Sequence, residues 1–307
     1  RILLLGHFDT VFDKDTTFLG FSMVGEWAHG PGVGDMKGGL VVAGAALEAL
    51  DHAGLLDGLD VVAVHNADEE VQSPTSRDLV EEACADRDLC LDFEVGRKSG
   101  AIVKSRAGVG RFFVEATGKS AHAGMHHKNG RNAIVGLSSA IGEIAALTDY
   151  DVGTTLNVGI VRGGTKRNIV PDHAHCEVDL RIREPEQEAV VVDGIQRVCE
   201  LHSRDGVRIE ARGGVGRPPW RPGGDSEALA DHFLAVAEDL NVDLTAEDTG
   251  GGSDANFTAA AGVPTIDALG PVGQGVHTFD ERIRVHTLVE RAKLVAIALA
   301  ELRLSPN

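Results

Sequence analysis

The sequence predicts an α/β protein of two domains, in which one domain is interrupted by the other. Apolar strand signals alternate with helices over residues 1–106 and again over residues 213–307. A different order, strand–helix–strand–strand–helix–strand, occupies residues 107–212. Strands separated by helices are typical of a mostly parallel sheet covered on both faces, and 307 residues suffice for about two domains.

The outer segments carry short apolar runs that predict strands and longer stretches that predict helices. In order, the elements predicted for the first segment are a strand over 2–5, a helix over 39–50, a strand over 60–65, a helix over 73–85 and a strand over 89–94. Those of the last segment are helices over 225–240 and from 250 onward, a strand over 265–269 and a helix over 287–302. Together they predict one α/β domain with a mixed, mostly parallel sheet.

The middle segment predicts a compact inserted domain with ferredoxin-like connectivity. Its predicted elements, in order, are a strand over 109–116, a helix over 132–147, strands over 155–161 and 173–182, a helix over 186–202 and a strand over 207–211. We therefore expect an outer domain, residues 1–106 and 213–307, that is split in sequence around an inner domain, residues 107–212.

Composition and charge exclude several classes of protein. Hydrophobic residues make up 43% of the chain and charged residues 25%, which is ordinary for a globular protein and unlike a disordered polymer, a collagen or a disulfide scaffold. The net charge of −18 argues against nucleic acid or an anionic membrane as a partner. No apolar run approaches the roughly 20 residues that span a bilayer. Four cysteines without a CxxC pair are predicted to be reduced and buried: Cys84, Cys90, Cys176 and Cys199.

The chain begins within a predicted core strand. Arg1 is followed at once by apolar residues, and no initiator methionine precedes it. We therefore expect an amino-terminal portion, with any signal peptide, to be missing from this sequence. The compartment stays open on these grounds, although the cytoplasm is favoured.

Candidate site residues follow the predicted strands, where ligands bind in open α/β sheets. His7 and Asp9 follow the first strand, and the acidic triplet 68–70 follows the second. Glu94 ends the third strand, and Asp35 lies in a loop rich in glycine. Each signal alone is weak, since such an aspartate is more often a helix cap and such a histidine an ordinary core or surface residue. Together these carboxylates would repel one another without a cation, and mixed imidazole and carboxylate ligands suit zinc.

Eight motifs occur along the chain in an order that carries a family resemblance. They are GHFDTV at 6–11, GPGVGDMKGG at 30–39, NADEE at 66–70, FE at 93–94, GKSAHAG at 118–124, GGTKRNIVP at 163–171, TGGGSDAN at 249–256 and GVHTFDE at 275–281. The sequence resembles the di-zinc aminoacylase/carboxypeptidase family, which includes acetylornithine deacetylase, succinyl-diaminopimelate desuccinylase and glutamate carboxypeptidase. Its likeness is greatest to the glutamate carboxypeptidase branch, through TGGGSDAN and through RPPW at 217–220.

The resemblance implies a centre with two zinc ions in each subunit. Asp35 would bridge the two ions. His7 and Glu94 would complete the ligands of one ion, and Glu70 and His277 would complete those of the other. Cobalt or manganese could replace zinc at such ligands. The peptide bond after Asp35 is also implied to be cis.

The resemblance further implies the residues of catalysis. Glu69 would act as the general base, which moves a proton from water to the leaving amine. Asp9 would orient the ring of His7. His122 would stabilise the oxyanion from the inserted domain of a partner subunit, so that domain is expected to be a lid and to form a homodimer. On its residues alone, His122 is an ordinary loop histidine.

Five more residues are implied to contact the substrate. Asn168, Arg181 and Arg217 match positions that bind a terminal carboxylate, which a guanidinium holds with two hydrogen bonds. Gly251 and Ser253 would line the pocket beside the metals. On the residues alone, a lone arginine more often forms a surface ion pair, and the glycine loop could be a helix-opening turn.

The resulting hypothesis is a metal-dependent hydrolase that cleaves an amide bond. The branch likeness implies a carboxypeptidase that releases a C-terminal amino acid, such as glutamate, from a small peptide or an N-acyl-amino acid. An N-acyl-amino-acid deacylase or a dipeptidase of the same family is the alternative. A non-catalytic binding homologue is disfavoured because Glu69 and all five expected ligands are present. A structural zinc protein is disfavoured because structural sites are closed clusters of Cys and His.

Overall fold

The computed structural model describes residues 1–221 and 223–304, and it divides the chain into two units. Unit 1 comprises Arg1–Arg106 and Trp220–Asn307, and unit 2 comprises Ala107–Pro219. Each unit has hydrophobic clusters of its own, one in unit 2 and three in unit 1 among the residues that the structure describes.

The strands and helices of the described residues are as follows. The strands are β1 (Ile2–His7), β2 (Ser22–Val24), β3 (Trp27–His29), β4 (Val61–Asn66), β5 (Leu89–Asp92), β6 (Ile102–Arg106), β7 (Gly108–Thr117), β8 (Ala121–His122), β9 (Thr155–Gly163), β10 (Ile169–Val170), β11 (His173–Ile182), β12 (Arg208–Arg217), β13 (Ala246–Thr249), β14 (Thr265–Ile266), β15 (Gly273–Gln274) and β16 (Arg282–Arg284). The helices are α1 (Gly38–His52), α2 (Arg77–Ala83), α3 (Ala133–Ala145), α4 (Glu186–His202), α5 (Gly224–Asp239), α6 (Ala255–Ala260) and α7 (His286–Leu304).

The central sheet of unit 1 has the strand order β14-β5-β1-β4, and every pair in it is parallel. β1 lies between two neighbours and is buried on both faces. Ile2 and Leu4 belong to a cluster with residues of α1, α5 and α7, whereas Leu3 and Leu5 belong to a cluster with residues of α2 and α6. Because side chains alternate along a strand, a strand covered on both faces requires a continuous apolar run.

Further strands make the sheets of unit 1 mixed. β6 pairs with β13 in parallel, and an isolated antiparallel bridge joins Val103 of β6 to Asp267, which follows β14. A separate antiparallel sheet has the order β15-β16-β3-β2. Its strands were not predicted because they are only two or three residues long, too short for an alternating pattern to develop. The expected α/β class with mixed sheets is confirmed.

Unit 2 is built on an antiparallel sheet of order β12-β7-β11-β9. Its main elements follow one another as β7, α3, β9, β11, α4 and β12. Leu137 of α3 and Ile195 of α4 pack with Val114 of β7 in one buried cluster. The side chain of Asn132 caps α3 by accepting a hydrogen bond from the Val135 N–H. β8 and β10 form a separate two-stranded ribbon.

The second segment of unit 1 begins at Trp220, later than the expected residue 213. β12 was predicted to end at residue 211, but it continues through Gly213 and Gly214 to Arg217, which pairs with Val109 of β7 after a register shift between Val215 and Arg217. Glycine has low strand propensity, so this part of the strand left no signal in the sequence.

The four cysteines are free and buried, as predicted: Cys84, Cys90, Cys176 and Cys199. Burial raises the pKa of each thiol above its ordinary value, which makes these side chains poor nucleophiles. In the part of the chain that the structure describes, no helix combines the length and the apolar character that crossing a membrane requires.

Candidate metal centre

His7 and Glu94 lie at the carboxyl ends of adjacent strands. His7 is the last residue of β1, and Glu94 follows the end of β5. Because β1 and β5 are parallel neighbours, these ends meet at one edge of the sheet. His7 is 1% exposed and Glu94 is 7% exposed, and His7 Nε2 lies 3.5 Å from Glu94 Oε1. The structure therefore brings these two predicted residues together.

Asp35 lies between two histidines. His7 Nε2 is 3.0 Å from Asp35 Oδ1, and His277 Nε2 is 3.0 Å from Asp35 Oδ2. Glu70 Oε2 lies 3.4 Å from His277 Nε2. Each oxygen of the Asp35 carboxylate thus faces a different imidazole, with Glu94 beside one ring and Glu70 beside the other.

Asp35 is held in a tight turn, Val33–Lys37, that follows the glycine-rich loop. The peptide bond between Asp35 and Met36 is cis, as the resemblance implied. Gly32, which begins the turn, has a φ of +72°, and a Cβ there would lie 3.2 Å from the Asp35 carbonyl oxygen. Only glycine adopts this conformation without steric cost, so the loop requires it at this position.

The acidic triplet after β4 divides between two roles. Asp68 accepts hydrogen bonds from the N–H groups of Thr75 and Ser76 at 2.8 and 3.2 Å. Those residues form a turn, and α2 consequently begins later than predicted. Glu69 is 7% exposed and lies with His7 and Glu94, whereas Glu70 lies with His7 and Asp35. These five residues form the ligand cluster. The first carboxylate is therefore structural, and the other two face the site.

Asp9 links His7 to the loop of Glu70. His7 Nδ1 lies 3.2 Å from the Asp9 carbonyl oxygen and 3.2 Å from Asp9 Oδ1. Asp9 Oδ2 accepts a hydrogen bond from the Glu70 N–H at 3.1 Å. With Nδ1 engaged in this way, Nε2 is the ring nitrogen of His7 that faces Asp35 and Glu94. A contact of this kind orients a metal-binding imidazole.

The donor set fits two divalent cations. Potential donor atoms of His7, Glu69 and Glu94 lie within 4.8 Å of one another, and so do those of His7, Asp35 and Glu70. Carboxylates this close repel one another unless positive charge lies among them. Imidazole nitrogens and carboxylate oxygens are ligands that zinc accepts. The residues present therefore suit a two-metal centre with Asp35 between the two positions.

Protons on the two imidazoles balance the carboxylates of this cluster. Burial opposes a charge on His7, but hydrogen bonds to Asp35 and Glu94 outweigh it and raise the pKa of His7 well above its usual value. Hydrogen bonds to Asp35 and Glu70 raise the pKa of His277 to about 10. Burial of Asp35 is likewise outweighed by hydrogen bonds from the two histidines, which hold its pKa well below the usual range. Burial raises the pKa of Glu94 to about 7.

A buried polar network at the end of β5 was not predicted. Arg106 donates from Nε and Nη2 to Asp267 Oδ2 at 2.7 and 2.6 Å, and from Nη1 to the Gly251 carbonyl at 3.0 Å. The Ser253 hydroxyl lies 2.7 Å from the same Asp267 oxygen and 3.2 Å from Asp92 Oδ2. Ser253 is 1% exposed, so its hydroxyl is engaged inside the protein. Gly251 and Ser253, the two predicted pocket residues of the glycine loop, are thus both held by this network.

Asp254 ties the loop after β4 to the same glycine motif. Its Oδ2 accepts a hydrogen bond from Asn66 Nδ2 at 2.5 Å, and its Oδ1 accepts one from the Ser73 hydroxyl at 2.5 Å. These partners flank Glu69 and Glu70 on both sides. Asn66 and Asp254 lie within two of the eight sequence motifs, but their pairing over 188 positions leaves no local signal.

His122 lies on the β8–β10 ribbon of unit 2, where it pairs with Ile169, and Asn168 directly precedes β10. The Ala123 N–H donates to the Asn168 carbonyl at 2.9 Å. His122 Nδ1 accepts hydrogen bonds from the N–H groups of Gly124 and Met125, both at 3.2 Å. An imidazole that accepts at Nδ1 carries its proton on Nε2 when neutral, so the outer nitrogen of His122 is a donor.

The two predicted substrate arginines have different surroundings within unit 2. Arg181, on β11, donates to Asp179 at 2.8 and 2.9 Å, which is the ion pair of the plainer interpretation. Arg217, at the end of β12, is 5% exposed. The structure places these arginines and the ribbon residues in unit 2, and it places the ligand cluster in unit 1.

Comparison with known proteins identifies the family. Residues 3–301 match the model of peptidase family M20/M25/M40. The chain belongs to this peptidase family. The resemblance to aminoacylases and carboxypeptidases is thereby confirmed, and the chain is a metal-dependent peptidase or amidohydrolase.

Individual relatives agree with this assignment. Carboxypeptidase G2 of Pseudomonas sp. (strain RS-16) is 30% identical over 281 residues, which cover 91% of this chain and 68% of that protein. The aminopeptidase PepT from Bacillus cereus shares the fold with a TM-score of 0.82 at 25% identity, over 98% of this chain and 80% of that one. The YXEP protein of Bacillus subtilis, a dinuclear metal-binding peptidase of the M20 family, has a TM-score of 0.72 at 16% identity, over 98% and 81% of the two chains. The M20 fold of this chain is therefore one on which a dinuclear centre is known.

Proposed function

We propose that this protein is a carboxypeptidase that holds two zinc ions and releases a C-terminal amino acid, such as glutamate, from a small peptide or an N-acyl-amino acid. The observation that carries the proposal is the position of Asp35 between His7 and His277, with Glu69 buried in the same cluster. The likeness to carboxypeptidase G2 supports the carboxypeptidase branch of the family.

The proposed ligands divide into two sets that share Asp35. His7 and Glu94 form one set with it, and Glu70 and His277 form the other. Two divalent ions at these ligands supply the charge that polarises the scissile carbonyl and acidifies a water molecule. Cobalt and manganese suit the same donors.

Glu69 is the proposed base. Its carboxylate takes a proton from the attacking water and returns it to the leaving amine. Its burial keeps bulk water away from that proton, and the pairing of Asp254 with Asn66 and Ser73 restrains the loop that carries it. The carbonyl oxygen of Asp9, 3.2 Å from His7 Nδ1, keeps His7 in the orientation that presents Nε2 to the site.

Unit 2 is the proposed lid and dimerisation domain. Its strand and helix order is that of a ferredoxin-like fold, and it carries His122 as an exposed residue of the β8–β10 ribbon. In the proposed homodimer, His122 of one copy stabilises the oxyanion formed in the other copy. The support is the proton on its Nε2, because an oxyanion requires a donor at that point.

Asn168, Arg181 and Arg217 are the proposed partners of the substrate's terminal carboxylate. Arg181 already binds one carboxylate, that of Asp179, so a substrate carboxylate would exchange with a group of the same charge and shape. Gly251 and Ser253 contribute to the pocket through their backbone, because the Ser253 hydroxyl is engaged with Asp267.

The alternative is an N-acyl-amino-acid deacylase or a dipeptidase, which would use the same ligands and the same base. A substrate panel with zinc restored separates these activities. It compares N-acyl-glutamates, folate-like substrates, dipeptides and N-acetyl-ornithine under one set of conditions. The proposal expects the fastest turnover with substrates that end in glutamate. Cleavage of N-acetyl-ornithine alone would overturn the carboxypeptidase assignment.

Glu69→Gln tests the proposed chemistry independently of the substrate. The amide keeps the shape of the side chain but cannot take a proton, so turnover should fall by at least about 10²-fold. Metal content, measured by elemental analysis, should stay at the wild-type value because Glu69 is not a proposed ligand. Full activity in this variant would show that another residue is the base.

A further inference from the structure

Glu281 binds the backbone of the loop that carries Asp35. Its Oε2 accepts a hydrogen bond from the Gly32 N–H at 2.8 Å, and its Oε1 accepts from the N–H groups of Gly34 and Asp35 at 2.9 and 3.0 Å. The residue is 1% exposed. Hydrogen bonds to an ionised acceptor are about twice as strong as neutral ones, so this carboxylate is a firm anchor for the loop.

The backbone of the Asp35 loop lies in close contact with the Glu281 carboxylate. A Cβ at Gly34 would lie 3.4 Å from Glu281 Oε1 and 3.3 Å from Val95 Cγ2, so backbone and carboxylate are already in close contact. Removal of the acceptor would leave buried N–H groups unsatisfied, which is costly in free energy. The course of the backbone at Asp35 therefore depends on one side chain.

Glu281 also belongs to the turn that carries His277. Its N–H donates to the Thr278 carbonyl at 3.3 Å, and the Thr278 hydroxyl donates to the Gly275 carbonyl at 2.6 Å. The Glu281 carbonyl accepts a hydrogen bond from the Gly30 N–H at 3.4 Å, and β16, which follows directly, pairs with β3. One residue therefore joins the two loops that supply these ligands.

We propose that Glu281 is a positioning residue that sets the separation of Asp35 from His277 and thereby the affinity of the metal centre. Its oxygens bind backbone N–H groups, so it acts through the loop and is not itself a ligand. The inference rests on the proposed function in one respect, namely that Asp35 and His277 bind metal.

Cobalt titration of three proteins tests this role. Glu281→Gln keeps the shape of the side chain but turns one acceptor into a donor that faces backbone N–H groups. Asp280→Asn is the matched control, because it removes the same charge from the preceding, exposed residue. Affinity is measured from the visible absorption of bound Co²⁺ in competition with a chelator. Changes to groups that orient metal ligands typically weaken binding about 10- to 100-fold, and this loss is expected for Glu281→Gln relative to both wild type and Asp280→Asn.

Glu281→Asp provides a second test. It keeps both oxygens on a shorter side chain and should recover part of the lost affinity, and it replaces Glu281→Gln if that variant fails to fold by circular dichroism. Wild-type cobalt affinity in folded Glu281→Gln would overturn the inference, and so would equal weakening in Asp280→Asn. A wild-type protein that binds no cobalt would instead overturn the proposed function, so the two failures can be told apart.

Discussion

Asp68, Glu69 and Glu70 are adjacent and chemically alike, yet the fold gives each a different partner. Asp68 binds the turn before α2, Glu69 lies in the buried ligand cluster with His7, and Glu70 faces His277. Carboxylates at this edge could be predicted because the apolar run of β4 was visible in the sequence. The roles of Glu69 and Glu70 came from the resemblance, and that of Asp68 came from the structure, since the turn that aims each side chain is not encoded in composition.

Contacts between distant residues mark the limit of prediction at this scale. Asp35 and His277 are 242 positions apart, and they were paired only through the resemblance. Arg106 with Asp267, 161 positions apart, and Glu281 with Asp35, 246 positions apart, were not predicted. Each is an ordinary charged residue in its local sequence, and its role is created by the fold that brings its partner near.

Metal binding should release protons from the two histidines. The pKa of His7 is raised well above its usual value and that of His277 is raised to about 10, so both rings carry a second proton in the metal-free chain at about pH 7. Metals bind only the neutral ring, so loading should release about two protons, with a further fraction from Glu94, whose pKa is about 7.

Calorimetry of zinc binding in buffers of different ionisation enthalpy measures this number. His277→Ala is the control, and it should reduce the release by about one proton. A release near zero in the wild-type protein would contradict the assignment of these histidines as ligands.

At the scale of elements, length and burial decided what could be predicted. α4 spans Glu186–His202, the predicted range, because its buried residues recur with helical spacing over several turns. The strands β2, β3, β15 and β16 were missed because each is too short to show a period. The sheet that they form is therefore a product of pairing between distant segments rather than of local propensity.

α1 packs so closely against the residue after β5 that one position of the helix must be glycine, which the sequence did not predict. A Cβ on Gly39 would lie 1.8 Å from the carbonyl oxygen of Phe93, the residue before Glu94. A Cβ on Gly44, also in α1, would meet no atom of the described residues within 4 Å apart from its chain neighbours and the backbone of its own helix, and that glycine is exposed. Gly39 is therefore required for close packing of α1 beside the proposed ligand Glu94, whereas Gly44 has no such packing role.

Alanine substitutions at these two glycines should have opposite effects on stability. Gly39→Ala is expected to lower the free energy of unfolding of unit 1 by about 2–3 kcal/mol, because the helix must move away from a rigid backbone. Gly44→Ala should raise it by about 0.5–1 kcal/mol, because alanine favours the helix.

Urea unfolding followed by tryptophan fluorescence measures both variants. Trp27 and Trp220 are the two tryptophans of the sequence, and both lie in unit 1, so the signal reports on that unit. Equal stability of the two variants would contradict the close approach of α1 to β5.

At the scale of the whole molecule, the net charge of −18 belongs to one unit. Unit 1 contains 15 Lys and Arg against 33 Asp and Glu, whereas unit 2 contains 14 of each. The carboxylates of Asp35, Glu69, Glu70 and Glu94 contribute part of that excess, and two divalent ions would carry the four opposite charges. Part of the negative net charge therefore comes from carboxylates that bound metal ions would neutralise.

Mixed dimers test whether His122 acts on the site of a second copy. His122→Ala lacks the proposed oxyanion donor and Glu69→Gln lacks the proposed base, so neither homodimer should be active. In a heterodimer of the two variants, one site has both residues, and roughly half of the wild-type activity should return. Purified heterodimers that stay inactive would contradict action across subunits.

The central claim is a pair of metal ions that share Asp35, and anomalous X-ray scattering from zinc-loaded crystals tests it most directly. The account predicts two peaks about 3.5–4 Å apart, one beside His7 and Glu94 and the other beside Glu70 and His277, with Asp35 between them. A single peak, or zinc bound away from Asp35, would contradict it.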